Sequence, residues 1–253
     1  MSYPKPVPTY HTTTYPALDP TLPTLSTRDK NIIITGAGSG IGRAIALSFA
    51  RANASNIAIL GRRLPQLEET KHLIAAQNSQ STTHIFTADI TSLPSLQSAF
   101  TKYAEAINGP IDILIANAGW HPGVGPVSSF STETFSSSLT INVIGAANSL
   151  QAWHPHKPAT GGKVVHTSSA VAHLSLPKSS AYSVAKTAAA RMMEFYAVEN
   201  PDTQVIGFHP GVVATEMLTG RIGKGMGLEA DTECESAGIS LTLSRAIHAN
   251  TWS

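Results

Sequence analysis

The sequence predicts an α/β protein: a doubly wound parallel sheet of six to seven strands in a single domain. Three observations point there. From Asn31 onward, short β-branched runs alternate with longer amphipathic stretches, the pattern of repeated βαβ units. A glycine-rich run, Thr35-Gly36-Ala37-Gly38-Ser39-Gly40-Ile41-Gly42, falls between the first such strand and the first helix, the setting in which a glycine motif carries weight. The length, 253 residues, gives one α/β core room to form and argues only weakly for a second domain.

Residues 1–28 form a proline-rich arm in which Pro4, Pro6, Pro8, Pro16, Pro20 and Pro23 disfavour helix and central strand. The arm reads either as a disordered leader or as an extended segment on the core or a neighbouring subunit, anchored by Tyr10, Tyr15 and Leu18. Residues 29–217 carry the core. Strands are expected at Asn31–Thr35, Asn56–Leu60, Thr83–Ala88, Ile111–Ala116, Lys163–Thr167 and Gln204–Phe208. Helices are expected at Gly40–Asn53, Pro65–Gln77, Ser92–Ile107, Thr132–Trp153 and Ser179–Glu199, with Pro65 and Pro94 suited to a first turn. Residues 218–253, glycine-rich from Leu218 to Gly227 and with a helical stretch over Ser236–His248, are expected to be a lid or tail of the same domain. In such a sheet a ligand sits outside the carboxyl ends of the strands.

A formal charge of +1 and 13% charged residues give no reason to expect a nucleic-acid partner. The lone Cys234 cannot form an internal disulfide, which fits a reducing compartment. No apolar run approaches the ~18 residues of a membrane helix, and Met1–Lys30 lacks the apolar core of a signal peptide, so a cytoplasmic location without a membrane partner is expected. Trp153-His154-Pro155-His156 offers two histidines without the further ligands a metal needs, and reads as a surface loop with no metal.

The glycine run has the spacing T-G-x-x-x-G-x-G, and in this it resembles the short-chain dehydrogenase/reductase family. The resemblance implies a Rossmann-like fold in which Gly36, Ser39, Gly40, Ile41 and Gly42 hold the pyrophosphate of a nicotinamide dinucleotide on a helix N-terminus. An acidic residue about 20 positions further on would hold the ribose 2′-hydroxyl of NAD. The chain has Gly61-Arg62-Arg63 there instead, and a guanidinium can grip a 2′-phosphate, so NADP (NADPH) is favoured over NAD. The alternative is that Arg62 and Arg63 are solvated charges at a strand end. Ser39 stands where some relatives carry a second basic residue. The resemblance further assigns Asp89 to the adenine and Asn117, Ala118 and Gly119 to the adenine ribose. It gives the nicotinamide carboxamide to the turn of Pro210, Gly211, Val213 and Thr215.

Tyr182 and Lys186 lie four residues apart, one above the other on a helix face. Ser169 precedes Tyr182 by thirteen residues, the interval at which the family places its catalytic serine, while Ser168 reads as structural because successive side chains point opposite ways. The resemblance makes Ser169, Tyr182, Lys186 and Asn142 catalytic, with Tyr182 and Lys186 also touching the cofactor and Asn142 holding a water that links Lys186 to solvent. Near neutral pH a free phenol, of pKa ~10, would need lowering by about 3 units, or roughly 4 kcal/mol; a cation at ~4 Å is nearly sufficient, and the oxidised nicotinamide adds a second positive charge. Tyr182 would then pass a proton to the forming alkoxide while Ser169 holds the carbonyl oxygen. Trp120, His121 and His173 read either as walls of the substrate crevice or as ordinary loop packing.

Beyond Met217 the resemblance fails, since the family's last strand and its Val-Asp-Gly-Gly type turn are missing. A divergent tail and an altered reading frame or splice would read alike here. The implied partners are a small-molecule carbonyl or alcohol substrate and a second copy of the chain, in a homodimer or homotetramer packed through Thr132–Trp153 and Ser179–Glu199. Ala188, Ala189, Ala190, Met192 and Met193 are the expected contact surface. The expected activity is NADP(H)-dependent interconversion of a carbonyl and a secondary alcohol, and the leader Tyr15-Pro16-Ala17-Leu18-Asp19-Pro20 is similar to those of filamentous-fungal members acting in secondary metabolism. The rival is a non-catalytic cofactor-binding or scaffold protein with an incomplete substrate pocket.

Overall fold

Three successive isoleucines make β1 (Asn31–Thr35) a strand buried on both faces, as a parallel sheet covered on both sides requires. The structure, a computed structural model, describes residues 16–77, 80–213 and 215–218. Side-chain alternation sends Ile32 and Ile34 into one layer with α1 (Gly40–Arg51) and α2 (Leu64–Gln77). Ile33 enters the opposite layer, with α3 (Leu93–Ile107), α5 (Gly145–Trp153) and α6 (Ser180–Glu199). The remaining strands are β2 (Asn56–Gly61), β3 (Thr82–Thr87), β4 (Ile113–Ala116), β5 (Gly162–Thr167) and β6 (Thr203–Phe208). All pairings are parallel, in the order β3-β2-β1-β4-β5-β6, with Ile32 opposite both Ile57 and Ile113. The order reverses between β1 and β4, which opens a crevice at their carboxyl ends.

Several expected boundaries shift for identifiable reasons. β4 begins at Ile113, because the Ile111 N–H donates to the His156 carbonyl at 2.8 Å and the Ile111 carbonyl accepts from Trp153 Nε1 at 2.8 Å. Trp153 is therefore fully buried, not part of a surface loop. α1 stops at Arg51, and Asn53 closes its end in the left-handed region at φ 62°. The single helix expected over Thr132–Trp153 is three pieces: α4 (Thr132–Leu139), a π turn at Thr140–Ile144, and α5.

The arm is tied down from residue 16 onward. Pro16–Leu18 and Pro23–Leu25 form 3₁₀ turns that bury Leu18 and Leu25, and the Thr27 N–H donates to the Ala52 carbonyl at 2.8 Å. Leu18 is thus an anchor, whereas Tyr10 and Tyr15 lie outside the described residues. So do nearly all of the expected lid or tail at 218–253 and the helical stretch at Ser236–His248. Among the described residues the sheet has six strands.

Candidate functional site

The glycine run is packed so closely that side chains are excluded from it. Gly36 has φ +70°, and a Cβ there would lie 2.9 Å from Ala118 Cα. A Cβ on Gly42 would lie 2.3 Å from the Gly36 carbonyl oxygen. Arg43, a residue with no sequence motif to flag it, braces the loop by donating to the Gly38 carbonyl at 2.6 Å and to Glu69 at 2.7 Å. Ser39 stands at the N-cap of α1 but makes no side-chain cap, so bare backbone and a helix dipole face the crevice. Unpaired backbone N–H groups at a helix N-terminus are donors of the kind a pyrophosphate accepts from.

Beside it the strand ends are knitted together. The N–H groups of Asn117 and Ala118 each donate to Thr35 Oγ1 at 3.0 Å, Asn117 Nδ2 donates to the Thr35 carbonyl at 3.0 Å, and Thr167 Oγ1 donates to Asn117 Oδ1 at 3.1 Å. At the outer end Asp89 accepts from the backbone and hydroxyl of Thr91, which holds its carboxyl below the usual range. Arg62 lies 3.9 Å from Asp89, and Arg63 reaches Ser39 Oγ at 3.3 Å and Glu216 at 3.4 Å. The two arginines lie around the glycine loop and Asp89, with side chains 72% and 54% exposed. Beyond Pro210, the turn continues through Gly211 at φ +80° and Val213 to Thr215, whose Cγ2 comes within 3.0 Å of where a Gly40 Cβ would be. The segment after β6 thus returns over the start of α1.

At the inner end, α6 organises the other residues. Ser183 Oγ donates to the Val171 carbonyl at 2.6 Å and Thr187 Oγ1 to the Ala172 carbonyl at 2.9 Å, clamping the short 3₁₀ turn that Ser169 caps. Tyr182 and Lys186 lie on the same helix, with the ammonium 5.7 Å from the phenol ring centre. Lys186 is 3% exposed and donates to the Thr167 carbonyl at 2.8 Å; burial pushes its pKa down to about 8. Burial pushes the Tyr182 phenol up from its ordinary value. Burial and the Lys186 cation thus act on the phenol in opposite directions.

Asn142 sits in the π turn, 1% exposed, with its side chain fully occupied: Oδ1 accepts from Trp120 N at 3.0 Å, and Nδ2 donates to the carbonyls of Trp120 and Ser138. Gly119 makes this approach workable, since a Cβ there would lie 2.9 Å from Asn142 Oδ1 and 3.5 Å from Lys186 Nζ. The extra residue of the π turn is what lets Asn142 face inward. His121 is buried with its ring centre 4.4 Å from that of Tyr182, and its Nδ1 accepts from the Gly123 N–H at 3.1 Å. Ser168 and Ser169 both line a groove of about 450 Å3 beside α6, together with His166, His173 and Met193, so alternation does not fully separate the two serines. Ser168 is the more buried, and its hydroxyl has no hydrogen-bond partner among the described residues. Among the described residues no cluster of His, Cys, Asp or Glu could hold a metal, and no helix is long and apolar enough to cross a membrane.

Residues 30–224 match the short chain dehydrogenase family. The chain belongs to this family of oxidoreductases. A short chain dehydrogenase/reductase of Aspergillus oryzae, astE, is 31% identical over 219 residues, 85% of this chain and 82% of that protein. Among solved structures, an alcohol dehydrogenase from the archaeon Thermococcus sibiricus, complexed with 5-hydroxy-NADP, is 27% identical with a TM-score of 0.75, covering 85% of this chain and 90% of the other. Carveol dehydrogenase from Mycobacterium avium, in complex with NAD, shares the fold at 24% identity and a TM-score of 0.71, over 76% of this chain and 74% of the other. Proteins of this fold have thus been captured with NAD and with 5-hydroxy-NADP.

Proposed function

We propose that this chain is an NADP(H)-dependent oxidoreductase that interconverts a carbonyl and a secondary alcohol, acting as a cytoplasmic enzyme of fungal secondary metabolism. The observation that carries the reading is the placement of Tyr182 and Lys186 on one face of α6, with the turn capped by Ser169 clamped to the same helix. A bound nicotinamide dinucleotide supplies the hydride. The Ser169 hydroxyl donates to the substrate oxygen, and Tyr182 hands that oxygen its proton. A phenol held above its ordinary value is protonated at neutral pH, the state reduction needs. Lys186, at about 8, is still mostly charged there and polarises the phenol. In oxidation the proton returns to Tyr182.

Arg63, beside Ser39 at the glycine loop, is the residue for the 2′-phosphate, with Arg62 behind it against Asp89. NADPH should therefore bind more tightly than NADH, and added salt should narrow the difference. Fluorescence titration checks this; equal affinities in the parent protein would refute the NADP assignment.

A homodimer is part of the same reading, but its contact surface differs from the expected one. Ala189 and Met193 face the core and are buried. The apolar stripe α6 offers outward is Val184, Phe195 and Val198, exposed by 47%, 52% and 82%. Those side chains are what a second copy would cover.

A further inference from the structure

The fork of Arg63 is already in use. Its Nη1 and Nη2 both face Glu216 Oε2 at 3.4 Å, and Nη2 also faces Ser39 Oγ at 3.3 Å. That Nη1–Nη2 edge is one of the two guanidinium edges through which a phosphate can be gripped by two parallel hydrogen bonds. Glu216 comes from the far side of the crevice, on the segment after β6 whose Thr215 rests against Gly40. In sequence it is 153 residues from Arg63. Arg62 has its own carboxylate in Asp89, so it does not relieve Arg63.

We propose that Glu216 is a specificity-determining residue: its carboxylate competes with the 2′-phosphate of the cofactor for Arg63. The proposal rests on reading Arg63 as the 2′-phosphate ligand. A dinucleotide whose 2′-phosphate takes this edge displaces Glu216, whereas one with a 2′-hydroxyl leaves the bridge in place. Glu216 thus narrows a preference that the arginines alone would make wide, doing from the β6 side part of what an acidic residue at the end of β2 would do.

The side chains of Arg63 and Glu216 are 54% and 74% exposed, so the bridge is a screened surface pair and its removal should be worth about two- to fivefold in affinity. The test is fluorescence titration of NADPH and of NADH, at low ionic strength, on the parent protein, Glu216→Gln, Arg63→Ala and the double variant. Glu216→Gln should tighten NADPH by that factor and leave NADH unchanged. In the Arg63→Ala background the gain should vanish, because nothing then holds the carboxylate at the loop. An unchanged or weaker affinity for NADPH in Glu216→Gln, or an equal gain for NADH, would overturn the proposal. The parent's own NADPH-to-NADH ratio tests the cofactor reading separately, so the two ideas fail on different numbers.

Discussion

Replacing Lys186 by methionine should stabilise the protein while removing its activity. The ammonium is buried at 3% exposure, and its pKa falls from 10.5 to about 8, so keeping it charged in the folded state costs roughly 3 kcal/mol. Methionine fills a similar volume without the charge. It also forfeits the hydrogen bond to the Thr167 carbonyl, a loss of about 1 kcal/mol. The net expectation near pH 7 is a gain of about 2 kcal/mol, or roughly 4–8 °C in Tm for a domain of this size. The sign of the pH dependence follows from linkage. Between pH 8 and 10.5 the unfolded chain binds the proton more tightly, so this group makes the parent more stable as pH rises. Below that window the full cost is present, and above it the cost is gone. Urea unfolding of parent and variant at pH 7 and pH 10 measures it: the advantage of Lys186→Met should be clear at pH 7 and largely lost at pH 10. Equal stabilities at pH 7, or a difference that does not change with pH, would refute the account of Lys186 as a buried charge.

Three further outcomes follow from the packing. Gly42→Ala, whose Cβ would meet the Gly36 carbonyl at 2.3 Å, should cost about 1–3 kcal/mol in urea unfolding and abolish cofactor binding. Gly207→Ala, with nothing within 4 Å of its Cβ among the described residues, should change stability by less than about 0.5 kcal/mol. The pair Phe195→Glu and Val198→Glu should each leave a folded monomer by light scattering, and a dimer that survives both substitutions would exclude the α6 stripe as the interface.

The strands were legible because a sheet covered on both faces demands runs such as Ile32-Ile33-Ile34, and few other structures do. The glycine loop was legible because only glycine tolerates the contacts at Gly36 and Gly42. What escaped the sequence was of four physical kinds. The π turn at Thr140–Ile144 changes hydrogen-bond partners without changing residue types, so no periodicity betrays it. The phase of α6 was ambiguous because its many alanines suit either face, which is why Ala189 and Met193 were expected outside and lie inside. Pairings such as Arg63 with Glu216, and the clamp of Asn142 on Trp120, join residues far apart in the chain and are set by the fold alone. The burial of Trp153 was hidden by its neighbours, since His154 and Pro155 read as a loop while its indole reaches Ile111.

The most direct test of the central claim compares the parent protein with Tyr182→Phe, following NADPH oxidation over a panel of carbonyl compounds and NADPH affinity by fluorescence. The parent should turn over at least one carbonyl. Tyr182→Phe should bind NADPH as the parent does but lose about 10²–10⁴ in kcat, because only the proton donor is gone. No turnover by the parent across the panel, or near-parental turnover in Tyr182→Phe, would contradict the reading of this site as a carbonyl-reducing centre.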